Sequence, residues 1–169
     1  MTASLKKPIK AIMDALALLP PKMKNNLGNV LVMLLAIGLQ ESRFTARKQH
    51  GGGPARGWWQ FEKGGGVAGV LKHSTTINAA RAFAVQRLIS PDTQSVYEAL
   101  AEDDVLAAGM ARLLLWTDAG KLPEFGDAQA AWNMYQRVWR PGKPHPETWP
   151  ELYAQAMEAV MAYLEGDQE

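Results

Sequence analysis

Ten consecutive residues, Val30-Leu31-Val32-Met33-Leu34-Leu35-Ala36-Ile37-Gly38-Leu39, carry no charge and no polar side chain. A helix built from them has no face suited to water, so other elements must surround it and the rest of the chain must be organised around this segment. The run is too short to cross a bilayer, which takes about 20 apolar residues. It reads as a buried core helix. It stops at Gln40-Glu41-Ser42-Arg43-Phe44. A glutamate at that point has apolar walls beside it and the negative end of the helix beneath it, and both disfavour its charged form. The resulting rise in pKa lets it hold a proton near neutral pH and deliver it to a leaving oxygen. Glu41 is the candidate general acid.

Apolar spacing of i, i+3, i+4 predicts further helices over Ile9–Leu19, Ala79–Leu88, Val105–Leu115, Ala128–Val138 and Leu152–Leu164. Each has stop or start signals beside it: Pro20-Pro21, Ser90-Pro91-Asp92, Gly120 with Pro123, and the Pro141–Pro150 stretch. The expected class is all-α, with about seven helices and at most a short hairpin of β structure. The exception to helix is Thr45–Gly66, where Gly51-Gly52-Gly53-Pro54 and Gly64-Gly65-Gly66 bracket Trp58-Trp59 and favour a loop. The 169 residues fit a single domain, 1–169, with a tail from Gly166 expected to fray.

Eighteen basic against seventeen acidic residues give a net charge of +1, so no overall field points to nucleic acid as a partner. Cysteine is absent, which excludes disulfides and thiolate metal sites but leaves the compartment open. Lys6, Lys7 and Lys10 before an apolar stretch faintly suggest a signal peptide. Asp14 within that stretch and the Pro20-Pro21 stop favour an amphipathic helix instead, and neither an export signal nor a membrane anchor is expected. His50, His73 and His145 lack metal-ligand spacing, and no metal or cofactor is expected. Gly64-Gly65-Gly66 has no Gly-Lys-Ser/Thr after it, which argues against a phosphate loop.

Cleaving a glycosidic bond takes an acid for the leaving oxygen and support for an oxocarbenium-like centre. Sugar clefts add flat aromatic walls and amide side chains that read hydroxyl and N-acetyl groups. Trp58, Trp59, Phe61, Gln60 and Asn133 suit those roles. The adjacent tryptophans cannot both face inward from one regular element, so one of them is expected at a cleft. Each residue also has a plainer reading. Glu41 as a solvated carboxylate, Trp58-Trp59 as core and Asn133 as a backbone partner are all ordinary outcomes, and the basic cluster Arg43, Arg47, Lys48 and Arg56 beside the proposed cleft either attracts an anionic polymer or solvates the loop.

Four elements, in order, resemble the lysozyme-like superfamily and within it the soluble lytic transglycosylase domain. Glu41-Ser42 with Phe44 resembles the family's Glu-Ser-x-Phe at the end of a buried helix. Gly57-Trp58-Trp59-Gln60 is similar to its Gly-Leu-Met-Gln, with tryptophans in the two middle places. Ala131-Trp132-Asn133 followed by Arg137-Val138 and Trp139 resembles its Ala-Tyr-Asn segment, with a shorter gap. Pro144-His145-Pro146-Glu147-Thr148 with Tyr153 is similar to its closing Pro-x-x-Glu-Thr-x-x-Tyr, with two extra residues. The elements fall within residues 30–160.

The resemblance implies a peptidoglycan-degrading enzyme that cuts the bond between N-acetylmuramic acid and N-acetylglucosamine and leaves a 1,6-anhydro sugar. Glu41 is then the sole acid and base, and Ser42 and Gln60 orient the sugar. Phe44, Trp58, Trp59, Trp132, Asn133 and Tyr153 are the remaining substrate-binding candidates. The implied partner is the glycan strand, with other virion or tail proteins as further partners if the origin is a phage. Small size and the missing export signal fit a virion-associated enzyme or an endolysin, present in the virion or the host cytoplasm and acting at the cell wall. Three alternatives stand beside this reading: a hydrolytic muramidase with Glu62, Asp103 or Asp104 as second carboxylate, a chitinase- or chitosanase-like hydrolase, and a virion component that binds glycan without cutting it.

Overall fold

The computed structural model describes residues 4–166. Eight α-helices account for most of it: α1 (Lys6–Leu18), α2 (Leu27–Ser42), α3 (Ala68–Lys72), α4 (Ile77–Gln86), α5 (Thr93–Ala99), α6 (Asp104–Trp116), α7 (Ala128–Trp139) and α8 (Trp149–Gly166). The architecture is all-α, without a sheet among the described residues. The six expected long helices are present. The two additional ones, α3 and α5, are short segments of 5 and 7 residues, too brief for an apolar period to register. Of the tail expected to fray, Gly166 is the last residue of α8, and the rest lies outside the described residues.

Helix α2 is the centre of the fold, with every residue from Val30 to Leu39 buried. It runs against α8 and α1, while α1 lies along α6. Helix α1 is amphipathic: Ile9, Ile12 and Leu16 face the core, and Lys10 pairs with Asp14 on the outside. No helix among the described residues is long and apolar enough to cross a membrane. Three helices begin at an aspartate whose side chain accepts from a first-turn N–H: Asp92 from Ser95, Asp103 from Leu106 and Asp127 from Ala130. Such a cap satisfies a donor that the helix itself cannot.

The segment after α2 has its own logic. Arg43 and Phe44 both take positive φ, 55° and 57°, which ends the helix abruptly and turns the chain back. Two isolated antiparallel bridges, Lys48 with Arg56 and Arg56 with Phe61, take the place of the expected hairpin. Gly64-Gly65-Gly66 departs from expectation, since it lies inside a wide helical turn over Lys63–Val67 that leads directly into α3. Close packing accounts for the glycine at position 66, where a Cβ would sit 3.0 Å from the Phe61 ring.

Candidate active site

Glu41 occupies the last turn of α2, and its side chain lines a groove of about 970 Å³. That volume is at the upper end of the roughly 300–1,000 Å³ usual for ligand clefts, which suits an extended ligand. One wall is the 63–67 turn with Phe61 and Glu62, and the other is the end of α7 with Tyr135, Val138 and Trp139, continued by Arg140–Lys143. Gln40 and Gln60 add amides to the lining.

Burial pushes the Glu41 carboxyl up to about 7, against an opposing pull from a hydrogen bond donated by Tyr135. The Tyr135 hydroxyl lies 2.5 Å from Glu41 Oε1. Burial first, and then the nearby carboxylate, keep the phenol itself well above its ordinary range, so it remains a neutral donor. The ring is fixed from behind by Trp149, stacked at 5.3 Å and 10° between planes, while the Trp149 indole N–H donates to Ala128 O. Gln40 fixes the other side, donating to His145 O and accepting from Thr148 Oγ1, so the end of α2 is tied to the start of α8. A carboxyl half-protonated at neutral pH, oriented by a phenol and open to a groove can both give and take a proton.

Of the residues expected at a substrate site, Glu41 and Gln60 line the groove, together with Phe61 and Glu62. The others do not. Ser42 is a structural tie, with Oγ donating to Trp58 O at 2.7 Å and accepting from Phe44 N at 3.1 Å. Trp58 and Trp59 are both buried, at 4% and 1% exposure. The expectation that one of them is at a cleft assumed a regular element. They sit instead on a turn closed by Gly57 (φ 77°) and Gln60 (φ 53°), where consecutive side chains can enter the same core. Trp59 donates to Leu34 O, and Trp58 lies under the Arg47 guanidinium at 4.6 Å. Phe44 packs edge-on to both indoles.

Trp132 is buried against Tyr135 and Trp149. Asn133 is exposed on α7 outside the groove lining, its side chain bonded to Gln129. Tyr153 is buried, and its hydroxyl accepts from Gly126 N. Helix α7 therefore presents to Glu41 a residue that sequence reasoning missed. Tyr135 lies one turn beyond Trp132, and the i, i+3 relation was the available signal.

Asp103 caps α6 and pairs with Arg87, and Asp104 pairs with Arg47, so neither is at the groove. Glu62 does line it, as does Asp118, which is held by a two-point pair with Arg137. Most of the basic loop cluster is likewise engaged internally: Arg43 donates to Leu39 O and Gln40 O, and Arg56 to Gly53 O and Ala55 O. In comparisons with known proteins, the chain matches no family model, no curated protein and no solved structure.

Proposed function

We propose that this protein is a glycosidase of the lysozyme-like kind that cuts peptidoglycan strands between N-acetylmuramic acid and N-acetylglucosamine, acting as a lytic transglycosylase with Glu41 as its acid and base. The observation that carries the reading is the Glu41–Tyr135 pair, a carboxyl with pKa about 7 in the lining of a groove of about 970 Å³. Glu41 gives its proton to the glycosidic oxygen as the bond to the anomeric carbon breaks, and the substrate's acetamido group supports the cationic centre. The ionised Glu41, steadied by Tyr135, then takes the proton of the C6 hydroxyl as that oxygen closes on the anomeric carbon. The proton returns to Glu41, no water is consumed, and the product is a 1,6-anhydro sugar.

A hydrolytic muramidase is the second reading, favoured by the position of Glu62 in the same groove. In an inverting or retaining hydrolase a second carboxylate activates water or stabilises the intermediate. Mass spectrometry of fragments released from purified peptidoglycan by the parent protein and by Glu41→Gln separates the readings. Fragments lighter by one water than the reducing form, absent with the variant, support the transglycosylase. Reducing ends support the muramidase, with Glu62→Gln as the next variant. No fragments from either protein would overturn both and leave a glycan-binding virion component.

A further inference from the structure

A second groove, of about 570 Å³, lies beside the first and shares the Asp118 side of its wall. Its distinctive member is Arg112, only 3% exposed within α6. Its Nε donates to Met23 O at 2.7 Å, which uses one of the five N–H donors of a guanidinium. No carboxylate among the described residues pairs with it, whereas Arg47, Arg87 and Arg137 each have an aspartate. A buried charge without a counter-ion is costly, and an anion delivered from outside would relieve that cost.

The surroundings suit such an anion. Lys22 Nζ and the Arg112 guanidinium each lie 5.2 Å from the centre of the Trp116 ring, and Lys121 stands at the rim. Asn25, Asn26 and Asn29 line the same space with side-chain amides that make no hydrogen bond to the described residues. Free amides suit the N–H and C=O groups of a peptide backbone. The acids of the groove are Asp118, neutralised by Arg137, and the exposed Glu124. Cations, an indole and unpaired amides together describe a receptor for an acidic peptide.

We infer that this groove binds the carboxylates of the acidic stem peptide carried by the muramic residue of a strand lying in the Glu41 groove. The inference rests on the function proposed above, and the shared Asp118 sets the two grooves side by side, so that a stem leaving the first over the Asp118–Arg137 pair is directed toward the second. Arg112 then takes a stem carboxylate, Lys22 and Lys121 hold the acidic chain at the mouth, and the asparagines read its backbone.

The test uses the full chain and two readouts. First, the free acidic stem peptide is titrated calorimetrically into the parent protein, Lys22→Glu and Arg112→Met, with inorganic phosphate as a control anion. Lys22 is exposed, so Lys22→Glu leaves the core intact even if Arg112→Met folds poorly. Peptide binding that weakens by about tenfold in Lys22→Glu, as expected for reversing one charge near a carboxylate, supports the inference. Second, digestion of peptide-bearing peptidoglycan is compared with digestion of glycan strands stripped of their peptides. The expected result is a KM for peptide-bearing substrate raised about tenfold by Lys22→Glu, with the stripped strands unaffected. Equal effects on both substrates, no peptide binding, or phosphate binding as well as the peptide would overturn the inference. If the parent protein cuts neither substrate, the glycosidase reading fails, and the calorimetric result still decides whether the groove takes acidic peptides.

Discussion

The hydroxyl of Tyr135 donates to Glu41 Oε1 across 2.5 Å, joining residues 94 positions apart in the sequence. The bond joins the end of the buried helix α2 to the aromatic face of α7, so the candidate acid is oriented by the same stack of Tyr135, Trp149 and Tyr153 that holds α7 to α8. Two opposing effects act on the carboxyl: burial raises its pKa, and the phenol lowers it less than burial raises it.

Glu41→Gln is expected to remove activity, by roughly 10³-fold or more for loss of a general acid, while stabilising the fold at neutral and alkaline pH. The folded pKa of about 7 exceeds the ordinary 4.5, so the native state binds more protons than the unfolded state between those values. Stability therefore falls as pH rises from about 4.5 to 7, by at most about 3 kcal/mol from this group, and the amide variant escapes that loss. Thermal unfolding of both proteins at pH 4.5 and pH 8 checks it: the variant gains in relative Tm at the higher pH.

Tyr135→Phe is expected to shift the alkaline limb of the pH–rate profile upward. The lost hydrogen bond favoured the charged carboxylate, so without it Glu41 keeps its proton to higher pH. The rate itself falls by about 10- to 100-fold, the worth of a hydrogen bond to a charged group. The deficit is therefore smaller at pH 8 than at pH 6. Profiles of kcat/KM for the parent and the variant, measured across pH 5 to 9, make the comparison. An unshifted limb would mean that Tyr135 acts only through packing.

The α2 run, its terminal Glu41 and the helices of long apolar period were legible in the sequence because each is local: burial on all faces, a charge at its end, and spacing of three and four. The partners of Glu41 were not, because they depend on which residues of a distant helix face it. Ala131-Trp132-Asn133 gave a plausible segment, yet the helix turns Trp132 into the core and Asn133 to solvent, and Tyr135 reaches the acid. Trp58-Trp59 misled for a related reason, since a turn with positive φ breaks the alternation on which reasoning about neighbouring side chains depends.

Ser42→Ala tests whether Ser42 is structural or reads the sugar. Its hydroxyl joins Trp58 O to Phe44 N, so the expected effect is a loss of about 1–3 kcal/mol in stability from a buried acceptor left unpaired. In a chain of this size each kcal/mol is about 2–4 °C in Tm. KM for glycan is expected to stay unchanged. A raised KM without a fall in Tm would return Ser42 to the substrate.

Gly38→Ala should damage the site from inside the core. A Cβ at Gly38 would fall 2.1 Å from the Phe44 ring, which has edge contacts with Trp58 at 5.4 Å and Trp59 at 5.5 Å and so has little room to move aside. Overpacking of this kind costs typically 1–3 kcal/mol, and the displaced ring drags the Ser42–Phe44 turn that closes α2 just after Glu41. Gly69→Ala is the control, because its Cβ meets only Leu114 Cδ1 at 3.8 Å, and alanine within a helix is favoured over glycine by roughly 0.5–1 kcal/mol. Unfolding of Gly38→Ala, Phe44→Leu and the double variant completes the test. Phe44→Leu makes the room that the new methyl needs, so the double variant is expected to lose less stability than the two single losses added together. Strict additivity would mean that the α2–Phe44 contact does not set the geometry around Glu41.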